Sequence, residues 1–315
     1  MEVLRRTRYV NKEELLSMLD AETKTDAIRS VIDKEFAPRI IKHFETSPTM
    51  IEAYNEIDKY HSLILREIVE KSGYHSVTAI VDGITQAYSL IVLLMTHQAG
   101  LEPVTYIPLA DLESCREIIV SGRVDGHLSP FVRGMVARYY SHKHLRESDV
   151  LRVFDELRLI LLRRGSYRER IITGLYFDGI MMRLCAFEEF SELHFRTVLF
   201  ESRDFESLRA TIRVNIEAII DVMKRAHPLL TLFSEILRDC LNMTHGLEVL
   251  DLVSVMAPAY VSALTLHAHK HESRLLKQYF LFLRQAILLK LILTHIEDAI
   301  VKDSLKTIIE RWVIP

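Results

Sequence analysis

Apolar residues recur along this chain at helical rather than strand spacing. The first stripe falls in Lys12–Leu19, where Leu15, Leu16 and Leu19 share one side of an acidic, amphipathic helix. Thr23-Lys24-Thr25-Asp26 reads as a capping box that opens a helix over Ala27–Phe36, which Pro38 limits. Ser47-Pro48-Thr49 introduces a longer helix from Met50 to about Lys71, with Ile51, Tyr54, Ile57, Tyr60 and Ile64 on one face and Gly73 as its stop. Val77–Met95 follows as a nearly continuous apolar helix, and Gly100 with Pro103 ends it. Val104–Pro108 is a short extended link into a helix that begins at Asp111.

The same plan then returns. Helices are expected over Pro130–Tyr140 and Ser148–Arg163, with an apolar helix over Tyr167–Phe187. An extended link, His194–Phe200, leads into a helix at Asp204. Further helices are expected near Phe205–Arg225, Pro228–Met243, Leu247–His271 and Glu272–Ile296. Short matches support a copied unit. Val81-Asp82-Gly83-Ile84 reappears as Phe177-Asp178-Gly179-Ile180, and Asp111–Arg116 reappears as Asp204–Arg209. A repeat of about 95 residues divides the chain into 1–105, 106–200 and 201–315, with no Ser/Gly-rich linker between them. Such units build surfaces on which other proteins sit.

Composition narrows the picture to helices. Gly (10) and Pro (8), which break helices, are scarce, while Leu, Ile, Arg and Glu, which helices tolerate, are plentiful. A net charge of −3 supplies no field to draw nucleic acid or an anionic membrane. Cys115, Cys185 and Cys240 are far apart and odd in number, which suggests a reducing compartment rather than a disulfide framework. The opening Met1–Arg6 lacks the apolar core of a signal peptide. Val77–Met95 and Gln278–Ile296 are apolar enough to raise the question of a membrane. The first carries Asp82 and Gln86, and the second carries Arg284 and Lys290, so both are expected inside protein.

Three passages resemble the C-type central-stalk subunits of archaeal and bacterial V/A-type rotary ATPases, a family related to the d-type subunits of eukaryotic V-ATPases. They are Ile84–Glu113, Tyr176–Cys185 and the carboxyl-terminal stretch from Ile292 to Pro315. The second matches a family helix that begins Asp-x-x-Asn. Asp178 is kept and Met181 stands in place of the Asn, while Thr85 stands three residues after Asp82. The resemblance implies an all-α body of three pseudo-symmetric helical repeat domains forming a funnel. It implies central-stalk shaft subunits and membrane rotor-ring subunits as partners. It also implies a cytoplasmic place at the membrane through the complex, and no catalytic, cofactor or metal residue.

Candidate chemistry is sparse beside that reading. His267 and His271 share a helical face while His269 points away, so at most two could hold one ion, and Glu272 is badly angled to join them. A polar helix surface is the plainer account, as it is for His142 and His144. Glu13-Glu14 and Glu188-Glu189 are adjacent and diverge on a helix. Arg163, Arg164, Arg168 and Arg170 form a basic cluster that reads as a solvated helix end, the sharper alternative being a contact with an acidic partner or a lipid headgroup. Arg5–Val10 followed by a helix and Lys24–Arg29 loosely suggests a ribbon-helix-helix DNA-binding module, which would make the chain a helical sensor or regulator. The basic residues there fall on both faces of any strand. A helical metal-dependent enzyme is the third reading. No phosphate-binding Gly-rich loop, dinucleotide fingerprint or zinc-protease motif is present.

Overall fold

Asn11 opens the first helix because its side chain can take the place of a missing backbone partner. Its carboxamide accepts from the Glu14 N–H at 2.9 Å, and Glu14 reaches back to the Asn11 N–H at 2.7 Å. In this computed structural model residues 9–46, 49–72, 77–99, 108–109, 112–121, 123, 130–142 and 271–312 are described. Every regular element among them is a helix. In chain order these are α1 (Lys12–Asp20), α2 (Lys24–Arg29), α3 (Ala37–Thr46), α4 (Met50–Ser72), α5 (Val77–Ala99), α6 (Leu112–Ser121), α7 (Pro130–His142), α8 (His271–His295) and α9 (Ala299–Trp312).

The long elements follow the apolar pattern and the early ones depart from it. On α1 the buried residues are Leu15, Met18 and Leu19, while Leu16 is only half-buried. Thr23 caps α2 by accepting from the Asp26 N–H, but the helix ends at Arg29 rather than Phe36. Turns carry the chain from Ser30 to Phe36. A new helix, α3, then begins at Ala37 with Pro38 in its first turn. There a missing N–H costs nothing, so the proline starts this helix instead of marking the end of the one before. Ile40 and Phe44, one turn apart, are the face it buries.

α5 and α8 differ from the amphipathic helices. Positions 87–94 of α5 and 283–293 of α8 are buried without a break, so both helices are covered on every side. α8 packs most extensively on α4 and also touches α5, α9 and α1. The first and last described helices meet as well. α9 sets Val301, Leu305, Ile308 and Ile309 in one stripe and packs against α1. Four lysines fringe that seam. Lys12 donates to the Glu310 carbonyl and Lys302 to the Ala21 carbonyl, while Lys306 lies 3.7 Å from Asp20 and Lys24 3.7 Å from Glu297. The ion pairs are exposed enough that they orient the seam more than they stabilise it. Asp298 starts α9 by accepting from Ile300 and Val301.

The repeat boundaries and the second copies of both short matches lie outside the described residues. Of the first copies, Gly83 is buried in α5 and Arg116 is exposed on α6. No helix among the described residues is long and apolar enough to cross a membrane.

Candidate functional site

The most unusual chemistry lies between α4 and α8. Tyr54, Asp58 and His61 follow one another at i, i+4 and i+7 on α4, so they share a face, and all three are buried. That face meets α8 at Lys290, whose accessible surface is zero. The Lys290 Nζ sits 2.5 Å from the Asp58 Oδ1 and 4.9 Å from the centroid of the Tyr54 ring. A carboxylate and an aromatic face thus both contact the ammonium. The phenol hydroxyl of Tyr54 bonds to the Thr294 hydroxyl, which in turn donates to the Lys290 carbonyl at 2.8 Å. A turn of α8 is thus tied to α4 through both its backbone and its charge.

The end of the extended link closes this site. Pro108 and Leu109 are non-helical and buried. The Leu109 backbone N–H bonds to the Asp58 carboxylate, and its carbonyl accepts from Ser62 Oγ at 3.2 Å. Burial dominates the titration of the cluster. It pushes Asp58 up to about 6, against the opposing pull of the Lys290 charge and the hydrogen bonds from Lys290 and Leu109. It pushes His61 down to about 3, and the Lys290 ammonium acts in the same direction. At neutral pH Asp58 is therefore ionised and His61 is a neutral imidazole. Lys290 is fully buried, and its charge is turned to Asp58 and Tyr54.

Pattern reading places Tyr54 correctly but passes over Asp58 and His61. It assigns the buried face through Ile51 and Tyr60, which are half-buried, with the Tyr60 ring 5.3 Å from that of Phe36. The available signal is the polar i, i+4, i+7 series opposite a lysine inside an apolar helix. Arg284 and Lys290 do lie inside protein, as their positions in an apolar run imply.

The candidates named from sequence do not converge. His142 is exposed at the end of α7, and His271 and Glu272 open α8. Glu13 is exposed, whereas Glu14 turns to the cap and to Lys34 at 2.8 Å, so the two carboxylates diverge as expected. His144, His267, His269, Glu188, Glu189 and the arginines at 163, 164, 168 and 170 lie outside the described residues. Arg5, Arg6 and Arg8 do too, as do Cys185 and Cys240, while Cys115 is buried on α6. Among the described residues no group of three His, Cys, Asp or Glu side chains is placed to hold a metal. No protein-family model, curated protein or solved structure matches the chain.

Proposed function

We propose that this chain is a non-catalytic central-stalk socket subunit of a V/A-type rotary ATPase. In that role it couples the rotor shaft to the membrane ring of ion-carrying subunits during ATP synthesis or hydrolysis. The reading rests on the three passages that resemble that family, and the structural observation in its favour is the way the body is tied together. A part that transmits torque must not yield, and close-packed helix interiors resist deformation. Here two helices are covered on every side, and the ends of the described chain are joined through α1 with α9 and α4 with α8. A contact between the first and last of three pseudo-symmetric units would close such a body. The partners in this reading are shaft and ring subunits, and the protein lies on the cytoplasmic side of the membrane through the complex.

The DNA-binding regulator has less in its favour. A ribbon-helix-helix module pairs its helices with those of a second copy, but the buried face of α1 already packs on α9 and α8 of its own chain. Affinity purification of the tagged chain from its native cells in mild detergent, followed by mass spectrometry, tests the proposal. Shaft and ring subunits should be recovered in stoichiometric amounts. A preparation clean of them would overturn it, as would a deletion strain in which ATP hydrolysis stays coupled to ion pumping.

A further inference from the structure

Arg284 occupies a position that α8 does not explain. Its side chain is 2 % exposed within a helix run that is otherwise almost wholly apolar. The Nη2 donates to the Tyr9 hydroxyl at 2.8 Å, while the buried Nη1 has no hydrogen-bond partner, and no carboxylate pairs with this guanidinium among the described residues. A buried lysine or carboxyl group can shed its charge by titrating. A guanidinium cannot, so its desolvation has to be met by a counter-charge.

The surroundings say what kind of counter-charge fits. Because the Tyr9 oxygen accepts from Arg284, its own hydrogen remains to be donated. Tyr9 is held in place on both sides. Its ring stands edge-on to Phe282 with centroids 6.2 Å apart, and the next residue, Val10, donates its N–H to Gln285 Oε1 at 3.0 Å. Tyr9, Leu281 and Phe282, near the guanidinium in the chain or by contact, are each half-buried. Two donors and one full positive charge thus sit together, and among the described residues no acceptor meets the Nη1. We propose that Arg284 and Tyr9 form a binding site for an oxyanion, either the carboxylate of an acidic residue or a phosphate group. Guanidinium recognises both through paired N–H donors.

The test uses the full chain. Its thermal unfolding is followed while acetate or inorganic phosphate replaces chloride at constant ionic strength and pH. The expected result is a saturable rise in Tm, roughly 2 °C at ten times the dissociation constant, with one of the two anions. The anion that acts at lower concentration tells which source the site takes. Arg284→Met should abolish the rise, and Tyr9→Phe, which keeps the guanidinium, should weaken it several-fold. No saturable rise with either anion, or an equal rise in Arg284→Met, overturns the assignment. Tyr9→Phe keeps the test decisive should the methionine variant fail to fold.

Discussion

Lys290 and Arg284 lie on the same helix and are almost equally sealed from water, yet their surroundings are opposite. Lys290 meets a carboxylate from α4, the face of Tyr54 and a backbone tie through Thr294. Among the described residues Arg284 meets one phenol hydroxyl. The contrast separates a charge that holds two helices in register from a charge that is left to receive something. It also shows why burial alone does not reveal the role of an ionic group. A paired charge contributes to specificity with little net gain in stability, whereas an unpaired one costs free energy until a partner arrives.

Breaking the pair from one side should have the largest effect. Asp58→Ala removes the carboxylate that faces the buried Lys290 ammonium, and should lower unfolding free energy by about 3–5 kcal/mol in urea titrations at pH 7. Lys290→Met leaves a carboxyl group that can take up a proton, so its cost should be smaller at pH 5 than at pH 8. Equal costs for Lys290→Met at the two pH values would mean that Asp58 does not titrate as a buried group.

The pH dependence sharpens the same contrast. The Asp58 value near 6 lies above its unfolded value of 3.8, so its contribution to stability is complete below pH 3.8 and is lost as pH rises through 6. The His61 value near 3 lies below 6.5, so its contribution is complete above pH 6.5 and is lost as pH falls toward 3. Between pH 6 and 4 the two oppose each other at similar slope. Below pH 4 only His61 still titrates, at ~1.4 kcal/mol per pH unit. His61→Gln should remove that loss, so its stability relative to the parent should climb steadily from pH 6 down to pH 3. A constant difference over that range would contradict a neutral, desolvated imidazole.

Arg284→Met should have the opposite sign to Asp58→Ala in chloride buffer. It should be neutral or stabilising by up to about 2 kcal/mol, because a lone charge is replaced by an apolar chain of similar length. A loss above that size would show that Arg284 already has its counter-charge. Asn11→Ala removes only the cap of α1 and gives the scale of an ordinary local contact, about 1 kcal/mol.

The long helices are legible in the sequence because their pattern and their burial agree. α4, α7 and the apolar core of α5 lie within a few residues of their expected limits. What the pattern hides has one physical cause in each case. Pro38 reads as a stop when it follows a helix and as a start when it precedes one, and nothing local decides between the two. Asp58 and His61 stay hidden because a charged or polar side chain is assigned outward until its partner is known. That partner, Lys290, lies 232 positions away in sequence from Asp58. Arg284 and Lys290 can be placed inside protein from sequence, but which of them finds a counter-charge depends on α4 crossing α8 at one point.

A double-mutant cycle between α4 and α8 tests that crossing most directly. Asp58→Leu, Lys290→Met and the double variant would be unfolded in urea under identical conditions. The double variant should be more stable than either single one and close to the parent, with a coupling energy of at least about 2 kcal/mol. Additive losses, within about 0.5 kcal/mol, would contradict the pairing of Asp58 with Lys290 and with it the joint that closes the helical body.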